Sequence, residues 1–191
     1  MLDWGMDLIS IPISIVSLLI SLGTFWLVFV RRGRLKMTTP TIVFFGYDRT
    51  PNPTAKVFVR TLLYCTATRG VAIEGMYASI SSNKDTQTFS FWGYGESENL
   101  TVGSGLHISQ SGFSANHHFV SSVQDKVFDF VHGDYVIEVY AQVVGKRKPM
   151  KLKAIKVKLP SDLASVLCSR EGVLFERTLD GTYIGHARPS P

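Results

Sequence analysis

A metal centre or a nucleophile in this chain would have to be built from five histidines, two cysteines and a scatter of serines and carboxylates. His117 and His118 are adjacent, so on a strand they face opposite ways and cannot ligate one ion together. His107, His132 and His186 stand apart, and no HxH, HExxH or CxxC spacing occurs. A serine hydrolase needs its nucleophile on a rigid turn, and GxSxG is absent. Gly103-Ser104-Gly105 and Ser111-Gly112 read as flexible connectors. Cys65 falls in an apolar, strand-like run where a thiol is inert packing. Asp48, Glu74, Asp134 and Glu138 occur singly, with nothing to pair them for acid–base work. Neither GxGxxG nor GxxxxGK is present to cradle a phosphate. No catalytic residue, metal ligand or cofactor is therefore predicted.

The densest chemistry is positive charge. Lys146, Arg147, Lys148, Lys151, Lys153, Lys156 and Lys158 lie within thirteen positions that contain no acid. Three readings compete for this basic surface. Lysines guard an exposed edge strand against unwanted pairing, they meet anionic lipid, or they form a nucleic-acid or nucleotide footprint. The last wants aromatic residues among the cations, and only Tyr140 is near, so nucleic acid is the less favoured partner. Phe89, Phe91, Trp92 and Tyr94 read as strand and core packing. Asn99-Leu100-Thr101 matches a glycosylation sequon, expected to be silent in a cytoplasmic domain.

These groups follow a long apolar segment. Leu8 to Val30 contains no charged residue, and twenty-three helical residues span roughly 34 Å, enough to cross a bilayer. Asp3 and Asp7 precede it, while Arg31, Arg32, Arg34 and Lys36 follow. The charge bias predicts a single-pass cell-membrane protein with its N-terminus outside and its C-terminal domain in the cytoplasm. A cleaved signal peptide would need a basic n-region and a small-x-small site, and the chain has neither. Ser10, Ser14, Ser17, Ser21 and Thr24 recur at spacings of four and three, a single stripe suited to close helix–helix approach. That face is expected to meet a second copy or another membrane protein, although hydroxyls can also bond back to their own helix.

The remainder alternates with period two. The expected organisation is a translocated tail (1–7), a membrane helix (8–30), a basic linker (31–40) and a β domain (41–160). A short helix and a C-terminal hairpin packed on the domain follow (161–191). Strands are predicted at 41–46, 56–67, 71–82, 88–94 and 133–145, with shorter runs near 106–108 and 118–120. Tyr135, Ile137, Val139, Ala141 and Val143 are assigned to the core face, Glu138 and Gln142 to the outer one. In MKLKAIKVKLP the apolar parity changes, which predicts a bulge near Ala154-Ile155. Ser161 is expected to cap the short helix, and Asp180-Gly181 to turn the last hairpin. Cys65 and Cys168 are read as two buried free thiols in a reducing compartment.

Seven or eight such strands point to an all-β fold, an antiparallel two-layer β-sandwich of immunoglobulin-like architecture, with a barrel as the competing arrangement. GDYVIEV resembles a tyrosine-corner strand, but without Cys…Trp…Cys spacing it identifies no family. Function is expected to be non-enzymatic: a membrane-anchored interaction or sensing module working within an oligomer or membrane complex. A membrane-tethered nucleic-acid or nucleotide binder using 146–158, and an enzyme with a site assembled from distant loops, are the alternatives.

Overall fold

Alternation sets the strands. Along Thr54–Cys65, every second side chain from Ala55 to Cys65 is buried, the pattern of a strand with one face in a core. The computed structural model describes residues 4–30, 33–48, 54–82, 85–94, 100–103, 105–121 and 128–188. It opens with helix α1 (Trp4–Phe25), which ends in a π-helical turn, Trp26–Val30. Helix α1 begins earlier than the apolar run, so Pro12 lies more than two turns inside it and removes the bond to the Leu8 carbonyl.

Twelve strands follow among the described residues: β1 (Leu35–Met37), β2 (Ile42–Asp48), β3 (Thr54–Cys65), β4 (Val71–Ser81), β5 (Thr86–Tyr94), β6 (Leu100–Val102), β7 (Leu106–Ile108), β8 (Phe113–Ser121), β9 (Gly133–Val143), β10 (Met150–Leu159), β11 (Gly172–Arg177) and β12 (Tyr183–Arg188). Helix α2 (Ser161–Cys168) joins β10 to β11. β1 falls within the stretch expected to be a linker, and the final hairpin is part of the sheet, because β11 pairs with β2.

All ladders are antiparallel and belong to one sheet, ordered β10-β9-β4-β5-β8-β3-β2-β11-β12. Its two ends approach each other: β10 contacts β12, and also β1. The architecture is thus barrel-like and not clearly the two-layer sandwich expected from strand number and spacing. Curvature has local causes. Both neighbours of β9 carry register shifts, between Ile73 and Gly75 on β4 and between Lys151 and Lys153 on β10. An extra residue on the flanking strands bends them around β9. The β10 shift lies slightly ahead of the predicted Ala154-Ile155 position, and Ile155, Val157 and Leu159 then face the core.

One hydrophobic cluster fills the interior. At its centre Phe45 stacks on Phe130 at 4.8 Å and meets Tyr135 and Phe175 edge-on at 5.3 and 5.1 Å. All five β9 residues assigned to the core are buried. The Tyr135 hydroxyl donates to the Val131 carbonyl at 2.7 Å and accepts from the Val131 amide at 2.9 Å, tying the strand to the segment before it. Burial pushes this phenol up to about 12. Tyr135→Phe should cost about 1–2 kcal/mol, read as a lower urea midpoint, because it strands the Val131 amide and carbonyl.

Helix α2 packs against β11 and β12, near one end of the sheet. Ala164 and Leu167 are buried, and Leu163 lies over Gly185 of β12, where a Cβ would overlap it. Ser161 is the first helical residue; Pro160 holds the cap position, with no side-chain capping bond. The helix stops in a Schellman turn, with Glu171 N–H on the Val166 carbonyl and Arg170 N–H on the Leu167 carbonyl. Arg170 takes the left-handed conformation usually left to glycine, with its guanidinium over the Tyr47 ring at 4.3 Å.

Candidate functional site

Strand directions decide which loops share an end of the barrel. The chain enters at Arg34, whose N–H donates to the Thr66 hydroxyl and whose carbonyl accepts from Thr66 N–H. Thr66 begins the β3–β4 turn, so that turn marks the entry end. The β9–β10 hairpin lies there too: Val143 pairs with Ile73, and Val144 N–H donates to the Ala72 carbonyl. So does the β11–β12 hairpin, since Arg177 N–H donates to the Thr41 carbonyl and the Tyr183 hydroxyl to the Pro40 carbonyl at 2.8 Å. Helix α2 and the β4–β5 turn lie at the far end.

This topology divides the predicted basic surface. Lys146, Arg147 and Lys148 sit exposed at the tip of the β9–β10 hairpin, at the entry end. They join the exposed Arg34 and Lys36, and Arg69 of the β3–β4 turn, a cation the sequence pattern did not single out. Lys151, Lys156 and Lys158 run up the outer face of β10, the terminal strand of the sheet. Lys151 pairs with Glu138, which also accepts from the Tyr140 hydroxyl at 2.8 Å; these bonds hold the Glu138 carboxyl below its usual range. Lys153, opposite Val139, has the inward parity and is half-buried. Arg31 and Arg32 lie outside the described residues.

The hydroxyl stripe lies on a helix with no buried residue between Ile11 and Phe29. Ser14, Ser17 and Ser21 are exposed, and Thr24 donates to the Ile20 carbonyl at 2.8 Å. That back-bond removes Thr24 as a free donor. Nothing is described of the Ser10 side chain.

The two histidines face opposite sides, as their adjacency requires, yet both are buried. His117 points inward beside Phe113 and Phe91, with ring centroids at 5.8 and 6.2 Å. Among the described residues neither of its nitrogens has a hydrogen-bond partner. Burial pushes it down to about 4, while the Thr61 backbone pulls the other way. His118 points outward in an aromatic stripe crossing four strands. Phe44 stacks on Phe58 at 4.8 Å, Phe58 meets His118 at 5.1 Å, and Trp92 lies opposite His118 on β5. Burial, with help from Lys56 and His117 and against the pull of Asp48, lowers His118 to about 4 as well. Period-two reading places Phe58 and His118 on faces of their own strands but cannot align them, because alignment needs the β3–β8 register.

His107, His132 and His186 are exposed and apart, and among the described residues no three His, Cys, Asp or Glu side chains gather into a metal-binding group. Both cysteines are free: Cys65 is buried, but Cys168, expected to be buried, is exposed at the end of α2 because its neighbour Leu167 takes the core position. Phe89 and Phe91 are core residues and Trp92 faces out. Asn99 of the sequon lies outside the described residues. No protein-family model matches the chain, and neither does any curated protein or solved structure.

Proposed function

We propose that the protein is a single-pass membrane protein whose cytoplasmic β domain serves as a non-enzymatic interaction or sensing module, brought into an oligomer or membrane complex by its helix. The observation that carries this reading is α1 itself. Ile11–Phe29 is long and apolar enough to cross a bilayer, and none of it is buried against the β domain. In water each exposed Leu or Ile would forgo roughly 1.5–3 kcal/mol of burial, so the helix requires lipid or another helix around it. The bias between Asp3 and Asp7 on one flank and Arg31, Arg32, Arg34 and Lys36 on the other supports a cytoplasmic domain.

Pairing through the hydroxyl face is tested by in-membrane crosslinking of the full-length chain. Single cysteines replace Ser14, Ser17 or Ser21, with controls at Leu18 and Leu19, in a background lacking Cys65 and Cys168. Self-crosslinking confined to the serine positions is expected. Equal yields at the leucine controls, or none anywhere with the protein in the membrane, would rule out self-pairing through this face and direct the same positions toward a different membrane protein.

A further inference from the structure

We infer that the entry end of the barrel docks onto the anionic headgroups of the leaflet from which α1 emerges, with Leu179 and Val144 dipping into the interface. This rests on the reading of α1 as a bilayer-spanning anchor and adds a second, electrostatic contact to it.

Chain reach brings the surface to the membrane. From Val30 to Arg34 is four residues, which cover no more than about 14 Å even fully extended. Arg34 is fixed to the β3–β4 turn by its two bonds with Thr66, so this end cannot leave the neighbourhood of the helix terminus. β1, which follows directly, pairs with β3 and contacts β10, adding further ties to the body of the barrel.

Charge is distributed to match. Arg34, Lys36, Arg69, Lys146, Arg147 and Lys148 are exposed at this end; the acids described there are Glu74, Glu176 and Asp180. Asp180 already accepts from the Thr178 and Thr182 hydroxyls within its own turn. The opposite end carries exposed Asp85, Asp129, Asp134, Asp162 and Glu171 against exposed Lys158, Arg170 and Arg188. The excess of cations at the entry end, set against the modest excess of acids at the far end, gives the domain a preferred orientation over a negatively charged surface.

Exposed apolar residues follow the same polarity. Among the described residues outside the helix, the large hydrophobic side chains that are exposed are Val102, Phe113, Val144, Leu179 and Ile184. Leu179 projects fully into solvent from the β11–β12 tip, and Val144 opens the basic hairpin. Phe113 begins β8 opposite Leu63, also toward the entry end. Among the described residues, none of this group lies at the far end. An apolar residue at a turn tip beside cations is costly in water and suited to the headgroup boundary, where apolar contact and attraction to anionic lipid act together.

The test uses the full-length chain in vesicles of phosphatidylcholine, with or without about 30% phosphatidylserine. A nitroxide is placed at Leu179→Cys in a Cys168→Ser background, and, as the far-end reference, on the native Cys168. In phosphatidylserine vesicles the Leu179 label should be accessible to oxygen and shielded from a water-soluble nickel reagent, while the Cys168 label stays open to nickel. Charge reversal at Lys146, Arg147 and Lys148 together should lower the docked-to-undocked ratio on the order of 100-fold and return the label to water. A Leu179 label as open to nickel as Cys168 overturns the inference, as does shielding that neither phosphatidylserine nor charge reversal alters. Carbonate extraction of the same vesicles reads the anchor separately. A chain that is stripped off refutes the anchor and the docking with it, whereas a retained chain with a water-exposed Leu179 refutes docking alone.

Discussion

Acidification from pH 6.5 to 4 should destabilise the β domain steeply, and His117→Phe should remove much of that loss. Both buried histidines are pushed down to about 4, by burial first, from an ordinary value of 6.5. Above pH 6.5 the ring is neutral in both folded and unfolded states, so the folded state keeps its full stability. As pH falls through 6.5 the unfolded chain takes up protons that the folded chain refuses, and stability declines until the folded rings titrate near 4. For His117 a shift of this size corresponds to up to about 3 kcal/mol; His118, less deeply buried and partly shifted by its neighbours, should contribute less. His117 is the sharper test because it points inward with unpaired nitrogens between Phe91 and Phe113. A phenyl ring has no protonated form to penalise and no buried polar atom to leave unsatisfied. At pH 7 the variant should therefore equal or exceed the parent by about 1 kcal/mol. Urea denaturation at pH 7, 5.5 and 4, followed by the β-sheet circular dichroism signal, measures both effects. A pH profile unchanged by the substitution would show that other groups carry the acid sensitivity.

The largest loss at neutral pH is expected for Phe45→Ala, about 3–5 kcal/mol. Phe45 is fully buried and touches rings from three other parts of the chain: Phe130 before β9, Tyr135 on β9 and Phe175 on β11. Removing the ring loses its transfer energy and leaves a cavity lined by aromatic edges that cannot close inward without disturbing the ladders on β2 and β9. Phe45→Leu keeps most of the volume and should cost less than half as much. The measurement is the shift in urea midpoint at unchanged slope. A loss below about 1 kcal/mol for Phe45→Ala would mean that these rings do not form the centre of the core.

Local patterns were readable directly from the residues. The apolar helix follows from composition and length, because a run without charges needs no partner to declare itself. The inward faces of β3 and β9 follow from period two, because successive side chains on a strand must point oppositely. Asp180-Gly181 turns the last hairpin because glycine accepts the positive φ there, as Gly181 does at +91°. The opposition of His117 and His118 was equally forced by adjacency.

What lay beyond the sequence was everything that depends on which strands become neighbours. β8 inserts between β5 and β3, and the Tyr183 hydroxyl reaches Pro40 across 143 residues. Alternation states that a strand has two faces but not what packs on them, so it gave no sign that both histidines would be buried. It likewise could not tell a sandwich from a barrel, since the strands alternate in either. Closure depends on the bulges beside β9 and on contact between β10 and β12, long-range events whose energy no short window contains. The same holds for the basic hairpin. Its charge was plain in the residues, whereas its position at the entry end of the barrel, with Arg34 and the β3–β4 turn, came only from strand direction in the assembled sheet.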